Sequence, residues 1–208
     1  MNPRKNSASW FAVVAASLAL SCASFRPEPP RYGPTEGARE GQTFPTYHTL
    51  RERGGFFRNL ADTLRYGETM EMVPVSTYHL RFAYPAEKIA RYTEWPLGLG
   101  FGRARTDSHG NRREVFGIVF EDSAARLQYN LGYIYLWTRP IVPSNPTVTL
   151  GAGYILMLMG RWDWDYVPVP LVFPMASLTV SRISLETAFV PGWIGYGNVI
   201  FTWVQFRL

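Results

Sequence analysis

The chain has 208 residues and a formal charge of +5; 47% of its residues are hydrophobic, 15% aromatic and only 18% charged. That apolar content excludes a disordered chain, and the one long apolar run, residues 10–20, is too short for the roughly 20 residues of a spanning helix, which excludes a helical membrane bundle. What remains is a soluble aromatic-rich β domain or a membrane β-barrel, whose alternation of apolar and polar residues holds the mean hydropathy near zero, here -0.10.

Arg4 and Lys5, the apolar run 10–20 and the stretch Ala19-Leu20-Ser21-Cys22 follow one another as the regions of a secretory signal, over residues 1–22. Removing it takes away two bases and no acid, leaving 19 bases against 16 acids. Lys88 is then the only lysine. The other bases are arginines, whose forks bind phosphate and carboxylate bidentately, so anionic partners and simple composition bias are both accounts of them. Cys22 is the only cysteine, which excludes an intramolecular disulfide. Its place after the apolar run resembles a bacterial lipoprotein signal with Cys22 as the lipidated first residue, although Ala19 stands where Leu is usual. Ordinary cleavage after Ala23 is the alternative.

Residues 23–70 read as a tether and a helix. Pro27, Pro29, Pro30 and Pro34 with several glycines predict an extended linker over 25–45. Phe56, Phe57, Leu60, Ala61 and Leu64 then recur at helical spacing opposite Arg58, Asn59, Asp62 and Arg65, with Gly67 as the stop. This amphipathic helix either packs on the following domain or lies at a membrane interface and clamps a barrel.

Residues 71–208 read as eight strands of period-2 pattern, at 75–84, 96–105, 113–121, 127–137, 147–159, 171–179, 182–190 and 198–208. Short turns alternate with longer loops, which is the habit of an outer-membrane barrel. The fold predicted is all-β, an eight-stranded antiparallel outer-membrane β-barrel with an N-terminal amphipathic helix. Ile200, Thr202, Val204, Phe206 and Leu208 alternate along the last strand, as such barrels require.

Alternation also assigns faces. With Leu97, Leu99 and Phe101 toward lipid, Gly98, Gly100 and Gly102 point inward. With Val148, Leu150, Ala152, Tyr154, Leu156 and Leu158 outward, Gly151, Gly153, Ile155, Met157 and Met159 point inward. An eight-stranded barrel is just wide enough for its own side chains. Interior glycines beside Ile and Met would open a narrow apolar slot suited to a hydrocarbon chain, or else they relieve curvature. The Gly98–Gly102 string has neither the spacing nor the strand–helix setting of a nucleotide loop.

Candidate chemistry is sparse. His48 falls in the linker and His109 in a tight turn. His79 lies in the first strand on the face of Arg81 and Ala83, opposite Tyr78, Leu80, Phe82 and Tyr84, and is read as structural or catalytic. Asp122-Ser123 follows the third strand, on the same extracellular side that the first strand approaches. A hydroxyl, an imidazole and a carboxylate near one rim suit acyl transfer, while a capped turn explains the Asp-Ser pair more simply. Trp162-Asp163-Trp164-Asp165 looks like an interfacial loop with too few ligands for a metal, and neither a metal nor a cofactor is expected.

Taken together, TYHLRFAY (77–84), PLGLGFG (96–102), FEDS (120–123), WTRP (137–140), DYVPVP (165–170) and GNVIFTW (197–203) are similar, in order and spacing, to the lipid A palmitoyltransferase family PagP. The resemblance covers the chain from about Phe57 to its end. It implies an outer-membrane enzyme of a Gram-negative bacterium, a membrane-embedded monomer that moves a palmitoyl chain from a glycerophospholipid donor to lipid A. The family's essential His matches His79 and its Asp-Ser pair matches Asp122 and Ser123. On that basis His79 is assigned as general base on the acceptor hydroxyl, Asp122 as its orienter or a head-group ligand, and Ser123 as an aid at the acyl carbonyl. The family's lateral lipid openings, where proline removes ladder hydrogen bonds, match Pro74 and Pro96 at one gap and Pro174 and Pro191 at the other. Arg161 matches an arginine at the outer rim, placed for phosphate. The sequence departs from the family at the pocket floor, where Ile134 stands for a glycine. A larger floor residue predicts an acyl chain shorter than palmitate. A lipid A deacylase or phospholipase, and a non-enzymatic small barrel, are the competing functions.

Overall fold

The computed structural model describes residues 55–107, 109–142 and 145–208. The expected signal, Cys22 and the proline-rich tether lie outside the described residues. Helix α1 (Phe56–Tyr66) leads into eight strands: β1 (Glu68–His79), β2 (Gly98–Thr106), β3 (Arg112–Glu121), β4 (Leu127–Val142), β5 (Asn145–Arg161), β6 (Val169–Val180), β7 (Ile183–Val190) and β8 (Val199–Arg207). Each strand pairs antiparallel with the next and β8 closes on β1. This is the predicted all-β barrel with its N-terminal helix. The turns β2–β3, β4–β5 and β6–β7 share one end with α1 and the C-terminus, here the terminal end; the β1–β2, β3–β4, β5–β6 and β7–β8 connections gather at the other, the loop end.

The first strand is a correction. It runs Glu68–His79, not 75–84, because Pro74 does not end it. Pro74 stays in register with Trp203 of β8, with an irregularity between Pro74 and Ser76, while pairing with β2 stops at Met72↔Gly100. A residue without an N–H is tolerated where no neighbour needs that donor. Past His79 the chain leaves the sheet for a 3-10 turn (Arg81–Ala83) and helix α2 (Ala86–Ile89), so Arg81, Ala83 and Tyr84 do not continue the strand face of His79. β4 and β5 overrun their expected ends for a similar reason: Pro140 is taken up by a register irregularity between Pro140 and Val142.

A second ladder is also cut short. β6 and β7 pair only from Val180↔Ile183 to Met175↔Ala188, although β6 continues to Val169. Pro174 is the next residue of β6 and Pro191 lies just beyond β7, as Pro96 lies just before β2. The β1–β2 and β6–β7 ladders thus both stop short of the loop end, and two of the four prolines lie at each of these breaks.

The pleat sorts the side chains as alternation requires. Leu99, Phe101, Leu150, Leu156 and Leu158 are exposed on the outer wall, whereas Ile155, Met157 and Met159 are buried inside. An apolar outer wall is the surface a barrel offers to lipid, and the fold fits an outer-membrane barrel. The interior core joins Met70, Met72, Phe116, Ile118, Ile134, Leu136 and Trp203. Below it, the terminal end is plugged by a buried polar network. Arg112 Nε lies 2.5 Å from Glu114 Oε1, Arg112 Nη2 also reaches Glu186, and Arg112 Nη1 donates to Thr179 at 2.8 Å and Ser184 at 3.0 Å. Gln205 Nε2 donates to Glu114 at 3.0 Å. Buried charges are tolerable only when paired this densely.

Helix α1 packs outside β2 and β3. Its Phe56 ring meets Tyr133 at 5.2 Å, Arg105 pairs with Asp62 at 3.8 Å, and Arg103 Nε donates to the Leu64 carbonyl at 3.3 Å. Gly67 ends the helix, its N–H on the Thr63 carbonyl, where an added Cβ would meet Thr63 O at 2.5 Å and Ala104 O at 2.9 Å. Phe57 and Leu64 remain exposed, so the helix is packed on the barrel and still presents an apolar face outward.

Candidate active site

A cavity of about 510 Å³ occupies the loop end of the barrel. Its walls are apolar: Ile118 and Phe120 from β3, Met157 and Met159 from β5, Phe173 from β6, Phe201 from β8, with Met72, Ile155 and Trp203 deeper. His79, Asp122, Ser123 and Arg161 all line it near the rim. Sequence positions spread over three strand ends are therefore brought to one mouth.

The expected acyl-pocket residues divide. Met157 lines the cavity; Gly98, Gly100, Gly102, Gly151, Gly153 and Ile134 do not. The glycines point inward but open no space, which corrects the cavity argument drawn from them. Their cross-strand neighbours occupy the room: Gly98 faces Phe120, Gly100 faces Ile118 and Gly102 faces Phe116. A Cβ on Gly100 would lie 2.8 Å from Ile118 Cβ and 2.9 Å from Gly117 O. Gly153 is closed in by Tyr135 O and Leu136 Cα, and Gly151 by Ser177 Oγ and Thr138 Cγ2, both at 3.2 Å. Close approach of strands in a tight barrel, the alternative account of these glycines, is what the packing displays. Ile134 is fully buried, paired with Glu114 and with Ile155. The cavity wall on β4 consists of Gln128 and Asn130, so Ile134 lies farther toward the terminal end, in the packed layer past the floor.

His79 is the last residue of β1 and is 3% exposed. Its Nε2 lies 3.1 Å from Ser123 Oγ. Its Nδ1 lies 3.3 Å from Glu94 Oε1, and its backbone N–H donates to the same oxygen at 3.0 Å. Tyr92 and Tyr84 flank the ring at 4.7 and 5.0 Å between centroids. Glu94 is in turn gripped by Arg81, whose two terminal nitrogens reach Oε1 at 2.9 Å and Oε2 at 2.7 Å. Burial alone pushes the Glu94 carboxyl up, but the hydrogen bonds from Arg81 and His79 outweigh it and hold the group below the usual carboxylate range. Tyr84, enclosed by the loops, is pushed up by burial.

Asp122 is occupied elsewhere. Its Oδ1 accepts from the N–H groups of Ala124 at 2.8 Å and Arg126 at 3.0 Å, and its Oδ2 lies 3.4 Å from Arg161 Nη2. It braces the turn that presents Ser123, in which Ala125 takes a positive φ of 56°. The carboxylate on the far imidazole nitrogen is Glu94, a residue the sequence reading passed over. Glu94 sits in a loop with no periodicity or spacing to mark it; the hint was Arg81, two residues from His79, a cation that needs an acid nearby. Lys88, the one lysine after residue 22, lines the mouth, donates to Gly195 O at 2.7 Å and lies over the Tyr84 ring.

Arg161 also binds Asp163 at 2.9 Å, and Arg126 covers the Trp162 ring at 4.1 Å, so the 162–165 segment forms part of the rim. Among the described residues there is no cluster of three or more His, Cys, Asp or Glu set to hold a metal. His109 lies in the β2–β3 turn at the terminal end, its N–H on Asp107 Oδ1.

The family model described as antimicrobial peptide resistance and lipid A acylation protein PagP matches residues 59–205. The chain is 38% identical to the lipid A acyltransferase PagP of Enterobacter lignolyticus (strain SCF1) over 151 residues, which cover 72% of this chain and 78% of that protein. It is 36% identical to the protein of the same name from Salmonella typhimurium over 161 residues, covering 75% and 84% respectively. With that of Klebsiella pneumoniae subsp. pneumoniae it shares 36% identity over 163 residues, 77% and 82% of the two chains. By sequence, with a barrel to match, this chain belongs to the PagP family of lipid A acylation proteins.

Proposed function

We propose that this protein is an outer-membrane acyltransferase that moves a palmitoyl or somewhat shorter chain from a glycerophospholipid to a hydroxyl of lipid A. The observation that carries this reading is the His79–Ser123 pair, 3.1 Å apart at the mouth of an apolar cavity of about 510 Å³. The acyl chain lies in the cavity with its ester carbonyl at the rim. The two ladder breaks, at Pro74 and Pro96 and at Pro174 and Pro191, give lipids a lateral route to that rim. Arg161 faces the donor or acceptor phosphate there.

The reaction exchanges one ester for another and needs no redox cofactor. His79 Nε2 takes the proton from the attacking hydroxyl and returns it to the glycerol oxygen as the lysophospholipid leaves. Once the acceptor hydroxyl engages Nε2, the Ser123 hydroxyl is free to donate to the ester carbonyl, where negative charge develops. Asp122 holds the turn that sets Ser123 in place.

Purified protein incubated with acyl-labelled phospholipid, with and without lipid A, tests the proposal. Label appearing on lipid A is expected. Release of free fatty acid alone makes the protein a deacylase or phospholipase, and no turnover makes it a non-enzymatic barrel. Export by residues 1–22 and lipidation at Cys22 belong to the same picture; a mature chain with a free amine at Ser24 would remove the anchor.

A further inference from the structure

We propose that Glu94, clamped by Arg81, is the positioning residue that makes His79 the base of acyl transfer. The inference rests on the acyltransferase reading above. Three observations carry it. A carboxylate only accepts hydrogen bonds, so the contact at 3.3 Å requires the proton on His79 Nδ1, which turns the lone pair of Nε2 toward Ser123. The bidentate Arg81 grip fixes both Glu94 oxygens. The backbone of the same loop is tied to both partners, since the Thr77 N–H donates to Glu94 O and the Thr93 N–H to Ser123 O, each at 2.9 Å. Asp122, the acid the sequence points to, spends its hydrogen bonds on the Ser123 turn and on Arg161.

The chemistry follows from that arrangement. When Nε2 takes a proton, an imidazolium forms on a residue that is 3% exposed. Glu94 stays ionised and compensates the charge, Nδ1 keeps its proton, and the proton on Nε2 passes to the leaving glycerol oxygen. The groups facing His79 are Glu94, Arg81, Tyr84 and Tyr92 from the β1–β2 connection and Ser123 from the β3–β4 turn, with Lys88 over the Tyr84 and Tyr92 rings and Asp122 and Arg161 beyond Ser123. Glu94 is the only acid in contact with the ring among the described residues.

Glu94→Gln and Arg81→Met, each compared with wild type across pH with labelled phospholipid and lipid A, test the inference. Glu94→Gln keeps the shape and removes the charge. It is expected to lower kcat by about 10²–10⁴-fold with little change in KM, and to move the acid limb of the pH profile to lower pH because the imidazolium has lost its counter-charge. Glu94→Asp restores part of kcat. Arg81→Met removes a cation and moves the acid limb the opposite way. Unchanged kcat and pH profile in Glu94→Gln, or a rise in KM alone, would overturn the positioning role and leave Glu94 as a loop tie. Absence of transfer by the wild-type protein would instead sink the acyltransferase reading.

Discussion

Ser123 Oγ and His79 Nε2 meet at 3.1 Å although 44 residues separate them in sequence. The contact depends on two strand ends, β1 finishing at His79 and β3 finishing just before Asp122, that come level only in the closed barrel. His79→Ala and Ser123→Ala should each reduce acyl transfer by at least about 10²-fold, because the first removes the base and the second the donor to the ester carbonyl. Both positions lie at the rim above the apolar core, so the barrel should persist, as judged by the mobility of unheated protein on gels. Asp122→Ala should also lose activity, by releasing the two N–H groups that shape the Ser123 turn; Asp122→Asn, which keeps an oxygen for them, should lose less. Full activity in His79→Ala would refute the base assignment.

The interior glycines make a separate prediction. Gly100 faces Ile118 across the β2–β3 ladder, with no room for a methyl group. Gly100→Ala should therefore destabilise the barrel by about 1–3 kcal/mol through overpacking, read as a lower denaturant midpoint. The length of the transferred chain should not change, since Gly100 does not border the cavity. A wild-type midpoint together with a shortened acyl product would restore the pocket role to these glycines.

Strand number, closure, the helix and the identity of the His-Ser pair were legible because each leaves a local or periodic mark: alternation for strands, a 3.6-residue repeat for α1, the short blocks TYHLRFAY and FEDS for His79 and Ser123. The start of β1 was hidden because Pro74 looks like a break until its pairing with Trp203 of β8 is known. The glycines misled because alternation gives the direction of a side chain and not the reach of its cross-strand neighbour. Glu94 was invisible for another reason. Its role comes from an aperiodic loop folding back over the rim, a tertiary contact with no counterpart in residue spacing.

On the proposed function, the length of the transferred chain is set where the cavity ends. Ile134 is fully buried behind the floor and is the register partner of Ile155, which lines the cavity. Ile134→Gly removes a core side chain and should cost about 2–5 kcal/mol of stability, while extending the cavity toward the terminal end. Mass analysis of lipid A modified by the two proteins should show a longer preferred acyl chain for the variant. Identical selectivity, or a wild-type enzyme that already prefers palmitate, would show that Ile134 does not limit the pocket.

The Arg81–Glu94 clamp also carries a signature in stability, independent of turnover. Glu94 is held below its ordinary value of 4.5 by Arg81 and His79, despite the opposing effect of burial. A carboxyl with a depressed folded value contributes stability that is fully present above the unfolded value and disappears as pH falls through the folded one. The difference in thermal stability between wild type and Glu94→Gln should thus hold or grow from neutral pH down to about pH 5, since the same carboxylate favours the imidazolium of His79, and shrink below it. Trp95, adjacent in sequence and exposed, offers a fluorescence report on the same loop. A difference that stays flat through the acid range would mean that the ionised Glu94 does not hold the loop over the rim.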